Sequence, residues 1–237
     1  MSPILFYGVP SGCSFGSIVA LEWLGQPYRL CRIQMPEGFT SDYLALNPVA
    51  ETPVLLTAEG DALAESMAIL NHIAAKGTAK GLGFPQGTRD FDRLNQMLAY
   101  LNTTFFESFS PLWHLFEHGL PDAQGTALHQ YGRGKVVRAH EQLESLLGNN
   151  DWLLGGQRTV ADAYFVGIAR WTRYHEVVDR RDYPSLQRLF ERLQADPAVE
   201  FAHAIEQEAK ATSGGGFQGH VTLTGALGQL RGEHEYS

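Results

Sequence analysis

The stretch spanning residues 4–25 limits what this chain can fold into more than any other. Ile4, Leu5, Phe6 and Tyr7 form a short β-prone run, and Gly8, Pro10 and Gly12 break it. Ile18, Leu21 and Trp23 or Leu24 then recur at helical spacing until Gly25, which suits a left-handed helix cap. The pattern predicts a strand delivered through a tight loop to a helix N-terminus. Unpaired N–H groups and the positive end of the helix dipole stabilise an anion there. The loop carries Ser11, Cys13 and Ser14. A thiolate is such an anion, and the sulfur is either a ligand's or that of Cys13 itself.

The punctuation that follows is that of an α/β unit. Pro27 opens a strand over 28–34, and the loop Glu37-Gly38-Phe39 leads to a short helix over 42–46 that Thr40 or Ser41 caps and Asn47-Pro48 ends. A strand starting at Pro53, the turn Glu59-Gly60-Asp61 and a strand over 62–64 come next. Glu65 and Ser66 then open a helix with Ile69, Leu70 and Ile73 on its apolar side. This order predicts a βαβ-α-ββ-α domain over 1–80, with the Gly-rich run 81–87 as a linker. Helical patterns over about 88–118 and 123–147, broken at Pro121, begin an all-helical domain over 88–209. Thr159 with Asp162 three residues on reads as a capping box, and Pro184 and Pro197 sit near the starts of two further helices. In the tail, 210–237, Gly214-Gly215-Gly216 and Gly219 predict flexibility, while Phe217, Val221, Leu223, Leu227 and Leu230 offer apolar surface to pack.

Composition narrows the partners. A net charge of −8 without a basic block argues against nucleic acid or an anionic membrane, and 44% apolar residues argue against disorder. The residues after Met1 lack a signal-peptide pattern, and no apolar run reaches spanning length. Two cysteines, Cys13 and Cys31, suit a reducing compartment, so a cytoplasmic location is expected. His114-Leu115-Phe116-Glu117-His118 puts two imidazoles at i, i+4, the spacing of a zinc helix. The pattern ends against Gly119 and Pro121 with no placed third ligand, so no metal is expected.

Three separated motifs carry a family resemblance. The first is Pro10-Ser11-Gly12-Cys13-Ser14 ahead of Ile18-Val19-Ala20-Leu21, and the second is Asn47 to Leu55, containing Glu51-Thr52-Pro53, running into Leu63-Ala64-Glu65-Ser66-Met67. The third is Thr159-Val160-Ala161-Asp162-Ala163. In this order and spacing they resemble the glutathione S-transferase family over roughly residues 3–209, with a loop most like the bacterial beta class. The resemblance implies a thioredoxin-like N-terminal domain followed by an all-α domain, glutathione as co-substrate, and a homodimer.

It further implies a cis Thr52–Pro53 bond, with Thr52 offering its backbone to the cysteinyl part of glutathione in strand-like fashion. Ser66 and Glu65 would meet the carboxylate and ammonium of the γ-glutamyl end. Ser11 falls where theta-, tau- and omega-like relatives place their active serine or cysteine, and Cys13 where the beta class places its cysteine. Tyr7 lies near where other classes use tyrosine. Ser11 or Ser14 would donate a hydrogen bond to the glutathione thiolate, which attacks an apolar electrophile. Alternatively Cys13 is the working thiol of a disulfide oxidoreductase or peroxidase. A third reading is a non-catalytic binding protein on the same scaffold. The chain departs from the beta class in having Cys13-Ser14-Phe15-Gly16 rather than two loop cysteines. It also has Phe106 where a histidine is usual, and no lysine matching around Gln34 and Met35.

Overall fold

The computed structural model describes the backbone of residues 1–234 and the side chains of residues 1–228. Residues 235–237 of the tail and the Leu230 side chain lie outside the described residues. The N-terminal unit runs β1 (Ile4–Val9), α1 (Phe15–Leu24), β2 (Tyr28–Gln34), α2 (Ser41–Leu46), β3 (Val54–Leu56), β4 (Ala62–Ala64) and α3 (Ser66–Lys76). The helical unit comprises α4 (Arg89–Tyr100), α5 (Ser110–His118), α6 (Asp122–Leu147), α7 (Val160–Ala169), α8 (Thr172–His175), α9 (Pro184–Gln194) and α10 (Pro197–Glu206). The tail adds β5 (Phe217–His220) and α11 (Leu223–His234).

The sheet order is β4-β3-β1-β2-β5, with β1 parallel to β2, antiparallel to β3, and β5 parallel to β2. Every residue of the central strand β1 is buried, which explains its unbroken apolar run. Gly25 caps α1 in the left-handed conformation, its N–H donating to the Leu21 carbonyl. All ten residues of α1 are buried, because the sheet covers one side and α3, α7 and α10 cover the rest. Two glycines let α1 and α7 touch backbone to backbone. A Cβ on Gly16 would lie 2.6 Å from the Ala163 carbonyl oxygen, and one on Gly167 would lie 3.0 Å from the Gly16 nitrogen.

The capping box at α7 forms as its spacing predicts. Asp162 accepts from the N–H groups of Thr159 at 2.8 Å and Leu153 at 2.9 Å, although burial still pushes its carboxyl up to about 6. The helix expected over about 88–118 is not continuous. Residues Leu101–Phe106 form a wide π-helical stretch and Glu107–Phe109 a tight 3-10 turn between α4 and α5. A regular 3.6-residue period cannot anticipate either.

The described part of the tail forms β5 and α11 where glycine content predicted flexibility. Gly215 and Gly216 serve close approach: a Cβ would lie 2.2 Å from the Glu22 carbonyl oxygen at the first and 2.7 Å from that of Gln26 at the second.

His140 is wholly buried on α6 against Phe105 and Tyr183, its Nδ1–H donating to the Val136 carbonyl at 2.8 Å. Burial holds its imidazole down to about 4. The unfolded chain therefore binds the extra proton first, so this contribution to stability is complete above about pH 6.5 and drains away as pH falls towards 4. At pH 5 the loss is about 2 kcal/mol. Urea unfolding at pH 7 and pH 5 should show His140→Leu losing less stability than the wild type by about that amount.

Candidate functional site

The loop between β1 and α1 folds back on itself. A Cβ on Gly12 would lie 2.3 Å from the Gly8 carbonyl oxygen, and Ser11 adopts a left-handed φ of 56°. Ser14 is fully buried, and its Oγ accepts the Gly8 N–H at 3.0 Å. That bond closes the loop, and Ser14 lines neither of the two cavities that meet at Cys13. Ser11 turns towards the helical unit, where its Oγ hydrogen-bonds the Tyr174 hydroxyl and its carbonyl accepts from Trp171 Nε1 at 3.1 Å. Tyr174 also accepts from Arg173 Nη2 at 2.7 Å. Burial alone would raise its phenol, but the Ser11 and Arg173 bonds, with the Arg173 and Arg170 charges, bring it below the usual value. Arg170 Nη2 donates to the Gly12 carbonyl at 2.8 Å. The loop is thus pinned from across the domain junction.

Tyr7 is buried, and its hydroxyl meets His220 Nε2 at 3.0 Å and Arg32 Nη1 at 3.5 Å. It lines neither of the cavities at the loop. Cys31 is buried in mid-strand, where burial pushes its thiol up to about 12.

Two cavities adjoin at Cys13. One, about 360 Å³, is lined by Cys13, Thr52, Pro53, Glu65 and Ser66, joined from the helical unit by Asn102. The other, about 500 Å³, is more apolar and is walled by Met35, Phe39, Phe106, Trp113 and Trp171, with Ser11 and Cys13 at its floor. Cys13, Glu51, Thr52 and Phe106 line both. The half-buried Cys13 thiol is pushed up to about 12 by burial, with Arg170 pulling it down and Glu51 pushing it further up.

Local structure explains the placement of the remaining residues. The Thr52–Pro53 bond is cis. The Glu51 carbonyl just before it accepts from Tyr43 Oη at 2.6 Å and Asn47 Nδ2 at 2.9 Å, so α2 and its C-terminal cap hold this edge. A Cβ on Gly8 would lie 2.2 Å from Thr52 Oγ1, and glycine there lets Thr52 lie against β1. Ser66 opens α3 and is buried, while Glu65 before it has a φ of 71°. The N–H groups of the first turn of this helix would stabilise an anion placed at its N-terminus.

Asn102 was not legible in the sequence. It sits in the π-helical stretch, and the Tyr164 hydroxyl donates to its Oδ1 at 2.7 Å, which leaves the amide N–H groups for a ligand. His114 and His118 stack with ring centroids 4.7 Å apart, and His118 Nδ1 bonds the His114 carbonyl. Among the described residues, no three His, Cys, Asp or Glu side chains cluster as a metal site.

Comparisons with known proteins place the fold in a family. Residues 10–76 match the model of the glutathione S-transferase N-terminal domain, and residues 97–197 match that of the C-terminal domain. The chain is 30% identical over 200 residues to a protein named glutathione S-transferase GST-4.5 from Xanthomonas campestris pv. campestris, covering 84% of this chain and 97% of that protein. A solved glutathione transferase from Methylococcus capsulatus superposes with a TM-score of 0.77 at 30% identity, covering 87% of this chain and 99% of its own. A sphingomonad glutathione S-transferase complexed with glutathione superposes with a TM-score of 0.77 at 28% identity, covering 87% of this chain and 100% of its own. Matched in both domains, and with a cleft at their junction that joins a polar pocket to an apolar one, this chain belongs to the glutathione S-transferase family and is a glutathione transferase.

Proposed function

We propose that glutathione occupies the polar cavity with its sulfur at Cys13, and that an apolar electrophile occupies the adjoining cavity. The carrying observation is that Cys13 lines both spaces. The Thr52 backbone receives the cysteinyl part, Ser66 and the α3 N-terminus receive the γ-glutamyl carboxylate, Glu65 its ammonium, and the Asn102 amide adds a donor from the helical unit. Cys13 remains a neutral thiol and donates its S–H to the glutathione sulfur. Glutathione loses its thiol proton to solvent, and its thiolate forms a carbon–sulfur bond with the electrophile as the leaving group departs with the bonding pair. Ser11 and Ser14 act on the loop, and neither donates to the sulfur. The elevated thiol pKa of Cys13 supports this reading over disulfide exchange, which needs a Cys13 thiolate.

Residues 1–80 form the glutathione-binding domain, 81–87 the linker, 88–209 the helical domain, and 210–237 an appended tail. A homodimer and a cytoplasmic detoxifying role extend the same reading, supported by family membership and two unpaired cysteines.

Retention of the whole protein on glutathione-agarose tests the shared premise. A folded protein that is not retained overturns it. Ser66→Ala removes a donor to a carboxylate, a bond worth about 1.5–3 kcal/mol, so the KM for glutathione should rise about tenfold or more. An unchanged KM would place the γ-glutamyl end elsewhere.

A further inference from the structure

The glutathione edge is held by a helix too short to hold itself. α2 has six residues and buries only Tyr43, and a helix of that length is unstable without tertiary packing. The Tyr43 ring stacks on Phe39 at 5.0 Å and meets the edge of Phe6 at 6.2 Å, while its hydroxyl grips the Glu51 carbonyl beside Thr52. Phe39, just ahead of α2, also walls the apolar cavity. The position of α2 therefore affects both pockets.

The sheet face beneath α2 forms a second, smaller core that includes Phe6, Cys31, Ile33 and Tyr43. The tail completes that core. Ala226 of α11 is wholly buried in it, with Val221 and Leu223 packed at its margin, and α11 contacts both α2 and β2.

The tail is anchored far from the cavities. The buried Glu22 carboxylate of α1 accepts from Ser213 Oγ at 2.7 Å, Gly214 N at 3.1 Å and Gly215 N at 3.0 Å, as well as from the Tyr28 hydroxyl. β5 then pairs with the outer edge of β2, and Val221 N donates to the Leu30 carbonyl at 2.8 Å. The solved transferases above are spanned to 99–100% of their own length by 87% of this chain, so this chain carries a segment they lack. The C-terminal family model ends at residue 197, ahead of the tail.

We propose that the tail is a built-in brace for glutathione binding. With β5 zipped to β2 and α11 seated against α2, the Glu51–Thr52 edge is held in its receiving position, and unseating the tail weakens glutathione binding without touching the reacting atoms. This rests on the reading that the Thr52 edge receives glutathione. Cys31, buried under the brace, is a native reporter of its seating.

The test uses full-length protein and two readouts. In Glu22→Ala, which removes the anchor, and Ala226→Glu, which forces a carboxylate into the covered core, maleimide labelling of Cys31 is followed by mass spectrometry, with Cys13 scored separately. Labelling should accelerate, and the KM for glutathione should rise about fivefold or more while kcat at saturating glutathione changes little. Faster Cys31 labelling with an unchanged KM overturns the brace, as does unchanged labelling in both variants.

The reciprocal measurement needs no substitution. Coupling between two equilibria acts equally in both directions, so saturating S-methylglutathione, which has no free thiol, should slow Cys31 labelling in the wild type by the same factor, about fivefold or more. Binding of S-methylglutathione by calorimetry without slower labelling overturns the brace alone. Absence of that binding overturns the glutathione-site reading, and the brace with it.

Discussion

Replacing Cys13 by alanine is expected to move the pH at which kcat/KM reaches half its plateau upward by about one to two units. A thiol that donates to a thiolate makes a hydrogen bond to a charged acceptor, worth about 1.5–3 kcal/mol, and each pKa unit corresponds to about 1.36 kcal/mol. Losing that donor disfavours the thiolate of bound glutathione, so its pKa rises. At neutral pH the rate should fall about tenfold to a hundredfold, and the loss should disappear at pH values above the bound thiol's pKa. Cys13→Ser keeps a donor and should stay close to the wild-type profile. The measurement is a pH–rate series with an activated aryl halide and glutathione. Superimposable profiles for wild type and Cys13→Ala would move the sulfur contact away from Cys13. The same series in Ser11→Ala should show no displacement of the profile, because the Ser11 hydroxyl is engaged with Tyr174.

The features legible in the sequence are those whose causes are local. A strand, glycines and proline, and a helical apolar period sufficed for the β1–loop–α1 unit. A threonine followed by an acid three residues on sufficed for the α7 cap. The placement of Thr52-Pro53 at a strand start and of Glu65-Ser66 at a helix start was readable because each kind of start announces itself. What separates Ser11, Cys13 and Ser14 is not local. The Gly8 N–H bonds Ser14 and the Tyr174 hydroxyl bonds Ser11, and the proposal that Cys13 meets the sulfur leans on those distant contacts. Asn102 was hidden because a π-helical turn shifts the register of every residue after it. The tail shows the ambiguity of glycine most clearly. The same Gly214-Gly215-Gly216 run serves a flexible linker or a close backbone approach, and only the carboxylate of Glu22, distant in sequence, decides between them. Arg170 gave no sequence signal at all. A lone arginine after an apolar helix reads as a solvated end, yet it is 2% exposed and bonds the reactive loop.

That buried arginine sets the largest expected stability effect. Glu206 grips Arg170 with both oxygens, at 2.7 Å and 2.9 Å, while Arg170 Nε donates to the Gly167 carbonyl and its guanidinium lies 4.2 Å from the centre of the Phe15 ring. Burial pushes the arginine down and the carboxyl up, each towards its neutral form, and their mutual attraction opposes both shifts. Glu206→Ala leaves the guanidinium buried without its countercharge, which costs about 3–5 kcal/mol. In a chain of this size that lowers the melting temperature by about 6–20 °C. Replacing both partners, as in Arg170→Met with Glu206→Leu, removes the stranded charge and should recover much of the loss, so the two sites are strongly non-additive. Activity should follow the opposite order. Glu206→Ala keeps the Arg170 bond to the Gly12 carbonyl and should retain turnover below its melting point. The double variant frees that carbonyl, loosens the loop that carries Cys13, and should lose turnover despite its better stability. Thermal unfolding and steady-state rates on the same three proteins decide the matter. A Glu206→Ala loss below about 1 kcal/mol would mean that solvent reaches the pair and that Arg170 does not need its partner to stay at the loop.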